Sequence, residues 1–277
     1  MSAEDSAAFC ADLVRRADPE RFLAGLFAPE AARRPLYALH AFDIEVSRIP
    51  ALVRQPLAGE IRLQWWREAI AGERGEEAAG HPVMTELRQA IAVGRLPAHA
   101  FDNLLSARLR DLYDDPVATV EELEGYCGDT AAAMLRLATL VLAGGTDPGG
   151  AEAAGHGGVA LGIARLLGEI GQGKGGQLAP AEVLGRHGAS RDDLVAGNLT
   201  PALAAALAEL RALAQRHLGE ARRHWPTLAP AIRPAFLPLA ALPLRLRRLE
   251  RRPFGGGEPA LWRRQAALWL AARRARL

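Results

Sequence analysis

The stretch Phe22-Leu23-Ala24-Gly25-Leu26-Phe27-Ala28-Pro29-Glu30-Ala31-Ala32-Arg33-Arg34-Pro35-Leu36-Tyr37-Ala38-Leu39-His40-Ala41-Phe42 decides how the rest of the chain is read. Pro29 opens a segment that runs to about Arg48, and within it Leu36, Leu39, His40 and Asp43 recur at helical spacing. Upstream, residues 5–17 read as a helix, and Pro19 stands at the first position of a short helix to Phe27, where its missing N–H costs nothing. Downstream, Pro50 and Pro56 bracket a loop. Residues 57–72 then read as a helix with Ile61, Trp65, Ala69 and Ile70 on one stripe.

The helical pattern continues to the end. Gly72 to Gly80 is charged and glycine-rich and reads as a loop, with helices following at 82–93 and 97–113. Thr119 with Glu122 three residues on is a capping-box pattern that starts a helix to about Leu142, and Ser190 with Asp193 is a second one. Helices are expected at 151–170, 201–224 and 259–275, with loops at 171–176 and 255–257. Pro226, Pro230, Pro234, Pro238 and Pro243 put a ring on nearly every turn, which predicts short kinked helices in place of one rod. No strand-like alternation and no internal repeat is present. The connections are short, so the expectation is an all-α chain in which residues 1–277 form a single domain.

Composition agrees. Apolar residues make up 49% of the 277, enough for a large core, and aromatic residues only 5%. Alanine, leucine and arginine lose little on entering a helix. A net charge of +2 argues against a nucleic-acid partner. Lys174 is the only lysine; the arginine bias is read as genomic and not as a sign of phosphate binding. Cys10 and Cys127 lie far apart without a CxxC partner, so neither a disulfide framework nor a zinc site is expected, and a reducing compartment is. Residues 1–18 carry acids and no apolar core segment, unlike a signal peptide, and the most apolar run, Ala131 to Ala143, is broken by Arg136 and too short to span a bilayer.

Against this background the opening stretch resembles the start of squalene/phytoene synthase-like proteins, in which a Leu-Tyr-Ala-Phe helix follows an arginine pair. Ile61-Arg-Leu-Gln-Trp-Trp-Arg-Glu-Ala-Ile70 looks like the Trp-Trp-Arg segment of that family, and Glu122-Leu-Glu-Gly-Tyr-Cys127 like the segment before its central helix. Leu161-Gly-Ile-Ala164 and Leu178-Ala-Pro180 stand where the family places its second acidic motif and the Leu-Pro beyond it. The resemblance covers roughly residues 15–250. It implies an isoprenoid-synthase-like helical bundle around a central cavity, with two Asp-rich clusters that hold Mg²⁺ against the diphosphates of two prenyl substrates.

The acids themselves are depleted. With Tyr37-Ala38 aligned to the family's Tyr-Ala, the first motif falls at Ile44-Glu45-Val46-Ser47-Arg48, where Ile44 and Arg48 replace the terminal acids. Asp43 and Glu45 remain, two residues apart and so about 200° apart around a helix. In the second motif Glu169 remains, and Gly173 stands at its partner's place. No metal ligand set is therefore expected. Arg165 and Lys174 are candidate phosphate contacts, and Tyr37, His40, Trp65 and Tyr126 are candidate cavity-lining residues. His40, on the apolar stripe, also reads as a hydrogen-bonded core histidine, and Trp65, Trp66 and Arg67 as residues that orient helices. Asp111 and Asp115 form a literal Asp-x-x-x-Asp that abuts Pro116 and reads as a solvated helix end.

Three functions follow from the resemblance. Acid-depleted members include a mitochondrial complex I assembly factor, which implies a non-catalytic or strongly diverged protein with a respiratory-complex subunit as partner or an isoprenoid or lipid as ligand. The second is an active Mg²⁺-dependent prenyltransferase of isoprenoid biosynthesis, the one reading that needs a cofactor. The third is a helical interaction module without ligand. The last helix, 259–275, mixes Trp262 and Trp269 with Arg263, Arg264, Arg273 and Arg274, a pattern suited either to an anionic membrane surface or to docking on the bundle with snorkelling arginines. The expected place is cytoplasmic, peripheral at the inner membrane if that helix meets lipid.

Overall fold

The computed structural model describes residues 3–255, 257–274 and 276–277. Its helices in chain order are α1 Ala3–Ala17, α2 Pro19–Leu26, α3 Glu30–Leu52, α4 Pro56–Ala71, α5 Gly75–Ala79, α6 Pro82–Gly94, α7 Ala98–Leu109 and α8 Val120–Cys127. They continue with α9 Ala133–Leu142, α10 Ala151–Ile170, α11 Ala181–His187, α12 Arg191–Val195, α13 Pro201–His224, α14 Arg233–Phe236, α15 Leu242–Arg251 and α16 Leu261–Arg274. No strand occurs among the described residues. The chain divides into two units. The first comprises residues 1–113, 133–151 and 227–238; the second comprises 114–132, 152–226 and 239–277.

In the first unit α3 is the central helix, packed against α1, α2, α4, α6, α7 and α9. Its run from Pro35 to Ile44 is buried on every side, with His40 and Asp43 among the buried residues. Phe42 sits at the middle with Trp66 and Phe101 edge-on at ring-centroid distances of 5.2 and 5.4 Å. Two expectations are corrected here. The helix does not stop before Pro50 but runs on to Leu52; Pro50 stands in the last turn, where little helix remains to be disturbed by the one backbone bond it removes. On α4 the buried stripe is Leu63, Trp66 and Ala69, while Ile61 is exposed and Trp65 only half-buried. The stripe is set one residue round from the one expected, because Trp66 and not Trp65 meets Phe42.

The second unit contains a close helix approach. The stretch expected as one helix from Thr119 to Leu142 is interrupted by a π-turn at Gly128–Ala132. Gly158 of α10 lies against that turn: a Cβ there would come within 2.2 Å of the Ala132 Cα, and one on Gly162 within 2.5 Å of the Cys127 Sγ. Glycines four apart give α10 a smooth face, and the wider π-turn fits against it. Both N-caps appear. Ser190 and Asp193 form a complete capping box. Thr119 accepts from the Glu122 N–H, while the Glu122 carboxylate reaches the Ala118 N–H, one residue beyond the expected partner. The proline run breaks into 3-10 turns at Trp225–Thr227, Pro230–Ile232 and Leu237–Ala241 around α14, ahead of α15. The segment expected as loop at 72–80 holds the short α5, and α7 ends at Leu109 but is continued by a 3-10 turn at Arg110–Leu112, close to the expected end near 113.

Candidate functional site

The two acidic motifs lie in different units, each with its own surroundings. Asp43 of α3 is 4% exposed. Its Oδ2 accepts from Arg21 of α2 at 2.6 Å, and its Oδ1 from Arg108 of α7 at 3.4 Å. Arg108 also reaches Asp111 at 3.1 Å, so the carboxylates and guanidinia alternate in one buried network. Burial opposes the charge on Arg21, but Asp43 and Asp18 outweigh it and hold its pKa above the ordinary value. Both oxygens of the carboxylate nearest the first motif are thus engaged by guanidinium groups.

Glu45 points elsewhere. It is half-buried, and its charge acts on the Cys10 thiol and on His81. Residues two apart stand about 200° apart around a helix, so Glu45 does not share the Asp43 face. The buried Cys10 thiol is pushed up to about 12 by desolvation and then by Glu86, leaving it an inert core residue. Glu86 is itself buried and held bidentately by Arg34 at 2.6 and 2.9 Å. Cys127 is buried as well.

Around this helix the remaining candidates have defined roles. Tyr37 is buried, stacks on Phe22 at 5.2 Å and donates its hydroxyl to the Phe22 carbonyl. Gly25 makes room for that ring, since a Cβ there would stand 2.6 Å from it. Trp65 donates its Nε1–H to Glu77 at 2.9 Å. His40 is buried, but it is not the hydrogen-bonded core histidine expected: its Nδ1 has no partner among the described residues. Desolvation, and next the neighbouring Arg21, push its pKa down to about 3, so the ring is neutral.

In the second unit Glu169 is near the C-terminal end of α10. It is bonded to Arg165 one turn back at 2.8 Å, with the carboxylate about a third exposed. The loop beyond it turns back onto the helix end. The amides of Gly171, Gln172, Gly173 and Lys174 donate to the carbonyls of Leu167, Glu169, Ile170 and Glu169. Gly173 and Gly175 adopt positive φ (74° and 70°), which lets the chain make this turn. The loop amides are therefore occupied in capping α10, and Arg165 is already paired. Lys174 is exposed. Tyr126 is half-buried in α8, its carbonyl accepting from Thr130.

The literal Asp-x-x-x-Asp does not lie on one helix face. Asp111 sits in a 3-10 turn against Arg108, and Asp115 lies exposed beyond that turn, next to Asp114, which pairs with Arg191. The second unit also holds a cluster that sequence reading missed. His156 and His217 face each other Nδ1 to Nδ1 at 3.0 Å, His217 Nε2 lies 2.9 Å from Glu124, and His224 stacks on His156. With Glu124 accepting from His217 Nε2–H, the His217 Nδ1 must accept from His156 in the neutral pair. The seven-residue spacing of His217 and His224 on α13 was the available signal; His156 on α10 is 61 residues from His217, beyond any local pattern.

The residues present do not fit a Mg²⁺ cluster. Hard dications need several free carboxylate oxygens. Here the first motif offers Glu45 alone beside Ile44 and Arg48, with Asp43 committed to two arginines, and the second offers one carboxylate already shared with Arg165. Among the described residues no group of three or more His, Cys, Asp or Glu is placed to hold a metal ion.

Known proteins share both the fold and the order of these segments. The family model for squalene/phytoene synthase matches residues 14–269. The chain is 28% identical over 269 residues to the rat NADH dehydrogenase (ubiquinone) complex I assembly factor 6, covering 96% of this chain and 80% of that protein. It is 31% identical over 255 residues to the Drosophila melanogaster homologue, covering 88% and 75%. Among solved structures, squalene synthase HpnC from Alicyclobacillus acidocaldarius superposes with a TM-score of 0.67 at 24% identity, covering 99% of this chain and 95% of that one. A dehydrosqualene synthase in complex with ligand gives 0.78 at 16% identity, covering 98% and 96%.

Proposed function

The chain belongs to the squalene/phytoene synthase family, and within it we propose a non-catalytic member that assists assembly of a respiratory complex I and works at the surface of the inner membrane. The observation that carries this reading is the Asp43 network. Mg²⁺-dependent ionisation of a prenyl diphosphate needs carboxylates whose oxygens are open to metal. The carboxylate nearest the first motif spends both oxygens on Arg21 and Arg108, and Arg48 adds a positive charge at a position where the family has an acid. The assembly role is supported by the relatives named for that activity, which match this chain across most of its length and most of theirs. Among the described residues no helix is long and apolar enough to cross a membrane, so a membrane role would be peripheral.

The test is genetic and biochemical together. Deleting the gene in its native host is expected to lower the amount of assembled complex I, and a tagged chain is expected to co-purify with complex I subunits from solubilised membranes. Unchanged assembly in the deletion strain together with no recovered complex I subunit would overturn the reading.

A further inference from the structure

The near-neutral net charge conceals a strong local imbalance. From Leu242 to Leu277 the chain has ten arginines and two glutamates, a local charge of +8 against +2 for the whole, so the remainder carries −6. Both glutamates are accounted for. Glu258 bridges Arg245 and Arg264, and Glu250 bears on Arg211 of α13. Arg247, Arg248 and Arg251 of α15, with Arg252 just beyond its end, line a groove of about 440 Å³ together with Leu244, Pro259 and, on α16, Arg263. Among the described residues Arg247, Arg251, Arg252 and Arg263 have no carboxylate partner.

The last helix shows why this edge is more than a basic patch. Leu268 and Ala271 are buried, so one face of α16 docks on the protein, as one of the two sequence expectations had it. At 100° per residue the opposite face carries Trp262, Trp269, Leu270, Arg263, Arg273 and Arg274, and the helix contains no acid. Trp262 is 69% and Trp269 48% exposed, a large apolar area to leave in water. Arg263 lies over the Trp262 ring at 5.7 Å and Arg273 over Trp269 at 4.8 Å, which shields each guanidinium as it leaves bulk water.

We infer that α15 and the outer face of α16 form a docking surface for an anionic phospholipid bilayer, with the Arg247–Arg251–Arg252–Arg263 groove receiving phosphodiester headgroups and Trp262, Trp269 and Leu270 entering the interface. A membrane fits better than an acidic protein because indole rings beside guanidinium groups match the layered polarity of a bilayer surface. The inference deepens the peripheral placement proposed above and is independent of the assembly role, since its test contains lipid alone.

The experiment is co-sedimentation of the full chain with phosphatidylcholine vesicles, with and without phosphatidylglycerol. Binding is expected only with phosphatidylglycerol, and it should weaken as salt is raised. The triple replacement Arg247→Gln, Arg251→Gln, Arg252→Gln is expected to cut partitioning by about a hundredfold. Trp262→Ala with Trp269→Ala is expected to cut it by about tenfold while leaving the salt dependence in place. All these side chains are exposed, and unchanged helicity and melting of the variants would confirm that folding is intact. Equal binding to neutral vesicles, no binding to either, or a triple variant that binds like the parent would overturn the inference. Inorganic phosphate at headgroup concentration that abolished vesicle binding would also count against it, because it would reduce the groove to a simple anion site.

Discussion

The carboxylates at the two motif segments, Asp43 beside the first and Glu169 in the second, are held in opposite ways. At the first, Asp43 is buried and its charge is absorbed by two arginines from other helices. At the second, Glu169 lies near the surface and is answered by an arginine one turn away on its own helix. The contrast is between a carboxylate in a dry site and one in a wet site. In a dry site it must be paired with buried cations, and that pairing becomes part of the fold. In a wet site it can pair locally, screened by water, with little consequence for stability.

The contrast is tested hardest by Asp43→Ala. Removing the carboxylate leaves Arg21 and Arg108 to their second partners, Asp18 and Asp111, and the expected loss is about 3 kcal/mol by urea unfolding. Replacing the charges together, as Asp43→Leu with Arg21→Met and Arg108→Met, is expected to recover much of that loss, because a buried ion network is about as stable as a well-packed apolar substitute. A small effect for Asp43→Ala would mean that the network is solvated and that the contrast between the motifs is only apparent.

Next in size is the pH dependence of His40, which shares the Asp43 environment with Arg21 and Asp18. Its pKa in the folded state is about 3, below the unfolded value of about 6.5, so the unfolded chain takes up the proton first. The stability contribution is full above pH 6.5 and is lost as pH falls from there towards 3. By pH 5 the loss from this residue is expected to be about 2 kcal/mol. His40→Gln should flatten the acid limb of stability against pH relative to the parent; an unchanged slope would show that the ring is reached by water or protonated in place.

The smallest effect is expected at the other motif. Glu169→Gln should change stability by about 0.5 kcal/mol or less, since an exposed pair one turn apart contributes little. A loss of 2 kcal/mol or more would place Glu169 in the same class as Asp43.

Much of the fold was legible in the chain. Proline positions, caps and helical periodicity located most elements, and the order of the motif segments identified the bundle. The errors came from packing that local pattern does not encode. Trp66 displaced Trp65 from the core because Phe42 lies where it does, and the π-turn at 128–132 answers to Gly158 some thirty residues later. At the candidate site the loss of acids was readable from Ile44, Arg48 and Gly173. Their replacement partners were not, because Arg21 and Arg108 are 22 and 65 residues from Asp43 and nothing in their local sequence marks them. The basic stripe of α16 was visible too, but its extension into an arginine groove on α15 required the two helices to be seen side by side.

In the proposed non-catalytic role Asp43 and Glu169 serve arginines and not metal. The most direct test of that role is diphosphate release from farnesyl diphosphate and geranylgeranyl diphosphate in the presence of Mg²⁺. The account predicts none above the uncatalysed background. Turnover that is abolished by Glu45→Ala or by Glu169→Ala would contradict it.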